Sequence, residues 1–156
     1  MSLTSRRSEP KQVLEKEILQ KYNKILSLIH SVLGTTTTFG IQLTDIGKQL
    51  FGTRYIGTFA SNQVPMLKNG EKCIVNLDKN YQSGSHWVAC LYENNNYYIY
   101  DSFGRKTVDI LPEFNRITID ADYDAEQNDN EKDCGSRCIA FLWFAERYGI
   151  KNALKI

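Results

Sequence analysis

The sequence predicts an α+β protein in which a central helix packs against a small, mostly antiparallel sheet. Short β-rich runs are grouped in the middle of the chain, and helical patterns lie before and after them. Strands and helices segregated in this way are typical of the α+β class. The length of 156 residues fits a single domain that can bury a core without disulfides or metals.

The first forty residues are predicted to form a tail, an amphipathic helix and a threonine-rich linker. Residues 1–10 are polar and are expected to be disordered. Apolar residues recur at steps of three and four over 11–33, which predicts a helix that Gly34 ends before the linker of residues 35–38. This helix either packs on the rest of the domain or serves as a docking arm, since its apolar stripe approaches a heptad. His30 is interpreted as a surface residue of this helix.

The body of the protein is predicted over residues 41–156, beginning with a short helix at 43–51. Strands are expected at 74–77, 86–92, 97–101 and 116–120. The run 93–96 has the composition of a hairpin turn. The polar run 123–133 is expected to be a surface loop. After it, Cys134–Tyr148 is apolar nearly all round, which predicts a helix in the middle of the domain.

Composition argues against several classes of function. Because 19 Lys and Arg nearly balance 18 Asp and Glu, the formal charge is +1. A protein of this charge has no overall positive potential to attract nucleic acid or an anionic membrane. No apolar run approaches the ~20 residues of a membrane span, and the N-terminus lacks the apolar core of a signal peptide. In a reducing compartment the four cysteines are expected to be thiols. Cys73 and Cys90 lie in apolar runs and are interpreted as small buried hydrophobes.

Cys134 is the first candidate for a catalytic residue. It stands at the predicted start of a buried helix, where free N–H groups and the helix dipole favour a thiolate. Gly135 follows it and lets a substrate backbone approach closely. The acidic residues of the preceding loop would oppose a thiolate unless they face solvent or pair with Lys132 and Arg137.

A thiol nucleophile needs a base, and the chain has two histidines. His86 is the realistic one, because His30 lies on the N-terminal helix. Asp101 ends the other strand of the predicted hairpin at the same end as His86, so its carboxylate can fix the imidazole tautomer. For the oxyanion that forms in acyl transfer, the candidate donors are the backbone N–H of Cys134 and the side-chain amide of Gln127.

Each of these residues also has an ordinary structural interpretation. Cys134 fits a core thiol, His86 a structural histidine, and Asp101 and Gln127 polar residues of a turn and a loop. Spacing alone therefore indicates only that the sequence is compatible with a thiol enzyme. A metal site formed by Cys134, Cys138 and His86 is a further alternative, although Cys-x-x-x-Cys in a helix lacks the knuckle spacing of structural zinc sites.

Four short motifs follow one another in the order histidine, acid, glutamine, cysteine. They are Ser-His-Trp at 85–87, Tyr-Asp-Ser-Phe-Gly at 100–104, Gln127, and Asp-Cys-Gly-Ser-Arg-Cys at 133–138. They resemble the adenain family, the maturation proteases of adenoviruses, with relatives in other double-stranded DNA viruses, satellite viruses and virus-like transposons. The family shares a clan with the proteases that remove SUMO. Residues 46–50 and 55–59 are also similar to adenain, so the match covers roughly 43–148.

The resemblance implies a papain-like or adenain-like fold and a cysteine endopeptidase. It assigns the catalytic triad to His86, Asp101 and Cys134, and the oxyanion donor to Gln127. It also implies that Trp87, beside the base, walls a narrow cleft that admits glycine near the scissile bond. Cys138 matches a second cysteine of the family and is interpreted as packing.

The implied substrates are capsid or core precursor proteins of a virus, cut at Gly-containing sites in the virion or the host cell. No cofactor is expected, and the protein is expected to be a monomer without a membrane or DNA partner. Arg116 stands where the family has the cysteine that links an activating peptide, so covalent activation is not expected. We hypothesise that the helix at 11–33 supplies in cis the support that the family takes from its cofactor. A peptidase of SUMO- or ubiquitin-like modifiers is the alternative function, since it would use the same four residues.

Overall fold

The computed structural model describes residues 3–77, 86–112, 114, 116–121, 127 and 131–156, with the backbone alone for residues 3–14. In chain order its elements are α1 (Leu3–Leu33), α2 (Gly40–Phe51), β1 (Tyr55–Ala60), β2 (Lys72–Asn76), β3 (Trp87–Glu93), β4 (Asn96–Tyr100), α3 (Thr107–Ile110), β5 (Thr118–Asp120), α4 (Cys134–Tyr148) and α5 (Ile150–Ala153). The fold is α+β, as predicted.

The sheet is mixed and has the strand order β1-β2-β3-β4-β5. The inner pairs β2–β3 and β3–β4 are antiparallel, whereas the outer pairs β1–β2 and β4–β5 are parallel. The prediction of a mostly antiparallel sheet is therefore wrong. The connections 61–71 and 101–117 are long enough to carry the chain back to the starting end of the sheet, which parallel neighbours require. β1 is missing from the predicted strands because Gly57 and Thr58 interrupt its apolar pattern.

Both faces of the sheet are covered, which explains why the inner strands β2, β3 and β4 are buried along most of their length. Along β3, Trp87 and Ala89 face the core shared with the helices, while Val88 and Cys90 face a second, smaller core. Cys73 pairs directly with Cys90 across β2 and β3, and both are buried free thiols. Their interpretation as small buried hydrophobes is confirmed.

β3 and β4 form the predicted hairpin. Its turn at residues 94–95 consists of two asparagines with φ of 52° and 65°, the left-handed conformation that a two-residue type I′ turn needs. The register pairs Ala89 with Tyr100. His86 and Asp101 therefore lie at the same end of the hairpin, as predicted.

α4 spans the range predicted for the central helix, and Gly149 ends it with a φ of 88°. It packs against α1, α2 and β3. Phe141 stacks on Tyr100 of the sheet with ring centroids 4.5 Å apart and planes at 12°. Cys134 is thus the first residue of a helix that is held from several sides.

α1 begins at Leu3 and not at residue 11, so residues 3–10, expected to be disordered, continue the helix. Five of its side chains enter the core beside α4: Ile18, Tyr22, Ile25, Leu26 and Ile29. This packing favours the interpretation that the helix is fixed to the domain, rather than the interpretation that it is a free docking arm. Within the described ranges, no helix combines the length and the apolarity needed to cross a membrane.

Candidate active site

His86 and Asp101 lie side by side at the open end of the β3–β4 hairpin. His86 Nε2 is 2.5 Å from Asp101 Oδ1. Because a carboxylate can only accept, Nε2 carries the hydrogen, and Nδ1 is the ring nitrogen left for another partner. The Asp101 side chain is 1% exposed. It also accepts hydrogen bonds from the backbone N–H of Phe103 at 3.1 Å and from Arg105 Nε at 2.7 Å, so its position is fixed.

The Cys134 side chain lies next to the His86 imidazole, and its interaction with the ring raises the pKa of His86. Nδ1 is the ring nitrogen available to the thiol, because Nε2 is bound to Asp101. Cys134 is the first residue of α4, where backbone N–H groups have no partner within the helix. A sulfur, an imidazole and a carboxylate from distant parts of the sequence therefore converge.

The pKa values of the base and its acid are shifted in opposite directions. Burial lowers the pKa of His86, but the hydrogen bonds and negative charges of Asp101 and Cys134 outweigh it and leave the pKa above its ordinary value. Burial raises the pKa of Asp101, but hydrogen bonds from His86 and Arg105 bring it down to about 2. The site therefore favours an imidazolium next to a carboxylate.

Asp101 should make the stability of the protein depend on acid pH. Its pKa is about 2 in the folded protein against an ordinary 3.8. Its contribution of about 2 kcal/mol is therefore complete above about pH 4 and is lost as the pH falls toward 2. In urea unfolding, the gap in free energy of unfolding between wild type and Asp101→Asn should narrow from about pH 6 to about pH 2.5. A gap that stays constant would contradict this assignment.

Arg137 neutralises the acidic residues beside Cys134. Its Nε is 3.0 Å from Asp133, and its Nη2 is 3.0 Å from Glu131. The condition that these acids pair is therefore met for Glu131 and Asp133, while Asp129, the third acid of this loop, lies outside the described residues. His30 Nε2 contacts the second oxygen of Asp133 at 2.9 Å. The interpretation of His30 as a surface residue is wrong, since its side chain is only 24% exposed and braces the residue before the nucleophile.

Gln127 is buried and its side chain is held at both ends. Its Oε1 accepts a hydrogen bond from the Ser102 hydroxyl, and its Nε2 donates to the backbone carbonyl of Glu131, just before α4. Gln127 and Asp133 are interior, so the prediction of a surface loop over 123–133 is wrong at these positions. Residues 122–126 and 128–130 of this region lie outside the described residues. The oxyanion role of Gln127 stays a prediction.

The two residues predicted to contact substrate both touch the N-terminal linker. Trp87 is buried, and its Nε1 donates to the backbone carbonyl of Thr38 at 3.2 Å. A Cβ at Gly135 would lie 2.0 Å from Thr38 Oγ1 and 3.1 Å from Leu43. The contact that requires glycine here is thus with Thr38, while contact of Trp87 or Gly135 with a substrate stays a prediction.

Sequence reasoning missed two residues that pack beside the base and its acid. Phe103 stacks on the His86 ring with centroids 4.7 Å apart, and the Arg105 guanidinium lies 5.1 Å above the Phe103 ring. They lie two and four residues after Asp101 in the chain. A turn brings them back: Gly104 has a φ of 69°, and its N–H donates to the Asp101 carbonyl at 2.8 Å. The glycine after Asp-Ser-Phe was the available signal for this turn.

For each predicted triad residue, a side chain or backbone group of residues 22–38 makes a hydrogen bond with the residue next to it in the sequence. The pairs are Tyr22 with Tyr100 at 3.1 Å, His30 with Asp133 at 2.9 Å, and Thr38 with Trp87 at 3.2 Å. These neighbours precede Asp101, precede Cys134 and follow His86, respectively. Residues 22–38 therefore brace the three elements that bring the site together.

Cys138 is fully buried one turn after Cys134, in agreement with its interpretation as packing. Burial, together with the nearby charges of Cys134 and Asp101, raises the pKa of its thiol well above the ordinary value. Among the described residues, no group of three or more His, Cys, Asp or Glu side chains is arranged to hold a metal ion. The alternative of a metal site thus gains no support from this part of the chain.

No protein-family model matches the chain, and no curated protein sequence matches it significantly. The interpretation of the site therefore rests on its geometry and on the four motifs in their order.

Proposed function

We propose that this protein is a cysteine endopeptidase with Cys134 as nucleophile, His86 as base and Asp101 as orienting acid. The observation that carries the proposal is an imidazole that is bonded to the Asp101 carboxylate and lies close enough to the Cys134 side chain for the two to interact. This is the arrangement by which enzymes turn a weak nucleophile into a strong one near neutral pH. The core-thiol interpretation of Cys134 gives no reason for a histidine oriented by a buried carboxylate to lie against the sulfur.

The chemistry follows from the two ring nitrogens. His86 takes the proton of the Cys134 thiol through Nδ1, and the sulfur attacks the carbonyl carbon of the substrate. Asp101 stabilises the resulting imidazolium, in keeping with the raised pKa of His86. The imidazolium then protonates the leaving amine, which departs and leaves a thioester. The same ring next deprotonates a water molecule that hydrolyses this thioester and frees the sulfur.

Two features support stabilisation of charge during this reaction. The first turn of α4 offers free N–H groups and the positive end of the helix dipole to the sulfur and to the oxyanion. The buried amide of Gln127, bonded to Glu131 beside the start of α4, supplies a second donor. Removing one donor of this kind typically slows acyl transfer ~100-fold or more.

The substrate class rests on the resemblance of the motifs to adenain. We infer that the fold is papain-like in the adenain manner, and that the substrates are capsid or core precursor proteins of a virus, cut at Gly-containing sites in the virion or host cell. The Phe103 ring, which stacks on the His86 ring, supports a narrow cleft beside the base, and the resemblance assigns Trp87, the residue after His86, to its wall. Such a cleft prefers glycine because glycine has no Cβ.

A panel of substrates separates this function from its alternative. The panel contains Gly-containing peptides, a capsid precursor, and proteins conjugated to SUMO- or ubiquitin-like modifiers. We expect Cys134-dependent cleavage of the peptides and the precursor, with the conjugates left intact. Release of a modifier with the precursor left intact would favour the modifier peptidase, and no cleavage at all would contradict both.

A further inference from the structure

Ser102 is a fully buried residue that contacts Gln127 twice. Its hydroxyl donates to Gln127 Oε1 at 2.5 Å, and its backbone carbonyl accepts from the Gln127 N–H at 3.1 Å. The two residues are 25 positions apart, and both are at most 3% exposed. Ser102 therefore fixes both the backbone and the side chain of Gln127.

These contacts determine which way the Gln127 amide points. The Glu131 carbonyl can only accept, so the amide nitrogen must face it, and the amide oxygen must face Ser102. The Ser102 hydroxyl then satisfies that oxygen by donating. An amide nitrogen carries two hydrogens, and among the described residues Glu131 takes one of them. The other hydrogen is the one that an oxyanion can use.

Ser102 also follows Asp101 directly, and the two side chains serve different partners. Asp101 bonds the His86 ring, while Ser102 bonds Gln127. The turn that contains both is closed by the hydrogen bond from Gly104 N–H to the Asp101 carbonyl. One short, closed turn thus sets the positions of the base and of the oxyanion donor relative to each other.

We propose that Ser102 is a positioning residue that aims the Gln127 amide at the oxyanion formed on the substrate. The inference rests on the proposed endopeptidase function and adds a residue to it. Without the Ser102 hydroxyl, the amide oxygen loses its buried donor, and the amide turns or shifts away from its productive orientation. This change in the orientation of the amide weakens its hydrogen bond to the oxyanion and leaves the nucleophile in place.

The first test is kinetic, on a Gly-containing peptide. Ser102→Ala should lower kcat about 10- to 100-fold with little change in KM, because the interaction lost is made only in the transition state. In a Gln127→Ala background, the same substitution should change kcat by less than about 2-fold, since its target is gone. Thr107→Ala is the matched control: it removes another buried hydroxyl, bonded to Asp120 at 2.6 Å, and should leave kcat unchanged.

The second test separates positioning from a general structural effect. Alkylation of Cys134 by iodoacetamide forms no oxyanion, so Ser102→Ala should leave its rate unchanged. A peptide aldehyde ending in glycine forms a tetrahedral adduct with the thiol, and its affinity should fall by about the same factor as kcat. Thermal unfolding of both variants checks that each is folded.

Three outcomes would overturn the role of Ser102: an unchanged kcat in Ser102→Ala, a full additional loss in the Gln127→Ala background, or an equal fall in the alkylation rate. The failure of the proposed function looks different. It would show in the wild type, as an absence of Cys134-dependent cleavage and of aldehyde binding, and it would remove the role of Ser102 with it.

Discussion

Replacement of Cys134 by alanine is expected to abolish peptide cleavage, with a loss of ~10⁴-fold or more in kcat. Alanine cannot form the thioester, and a water molecule held by His86 is a far weaker nucleophile than sulfur. His86→Ala should cause a loss of similar order, because the members of a triad act as a unit. The measurement is the release of product from a Gly-containing peptide under single-turnover conditions.

Cys138 provides the control for this prediction. It lies one turn further along α4, is fully buried and carries the same functional group. Cys138→Ala should therefore retain most of the activity, at a modest cost in stability for the small cavity. Cleavage that survives in Cys134→Ala, or that vanishes in Cys138→Ala, would contradict the assignment of the nucleophile.

Deletion of residues 1–38 is expected to unfold the protein or reduce it to a loosely packed state without activity. The deletion removes the five side chains of α1 that are buried in the core beside α4. Each contributes ~1.5–3 kcal/mol, so about 10 kcal/mol is lost, which is comparable to the whole stability of an ordinary domain. It also removes the contacts of His30 and Thr38 beside the site. Urea unfolding and peptide cleavage measure the two effects.

Two neighbouring residues of α1 form a matched pair for this test. Ile29 is 2% exposed and lies in the core, whereas Leu28 is 57% exposed. Ile29→Ala should lower the free energy of unfolding by ~2–5 kcal/mol, and Leu28→Ala by less than about 0.5 kcal/mol. A truncated protein that unfolds at the wild-type urea midpoint and cleaves at the wild-type rate would remove the hypothesis that this segment supports the site.

Local patterns in the sequence were sufficient for the elements that carry the candidate triad. The apolar run of Cys134–Tyr148 predicted the limits of α4, because a buried helix has few polar positions. The asparagine turn predicted the hairpin, and its symmetry predicted that His86 and Asp101 lie at the same end of the two strands. These features depend on residues close together in the sequence, where periodicity and turn chemistry act.

The features that the sequence did not reveal depend on distant partners. Nothing near His30 indicates that Asp133, 103 residues away, will meet it. In the same way, the need for glycine at position 135 comes from Thr38, which packs against it from the linker. The parallel edges of the sheet were missed because strand direction is decided by where the connections run, and a strand's own residues do not encode it.

The most decisive measurement is the site and rate of covalent labelling by a peptide whose C-terminal glycine carries a vinyl sulfone. If the imidazole activates the sulfur at the start of α4, intact-protein and peptide mass spectra will show one adduct per chain, on Cys134. The labelling rate will then fall steeply in His86→Ala and in Asp101→Asn. Labelling of Cys134 at the same rate in wild type and His86→Ala, or no preference for Cys134 over the other three cysteines, would contradict the proposed catalytic site.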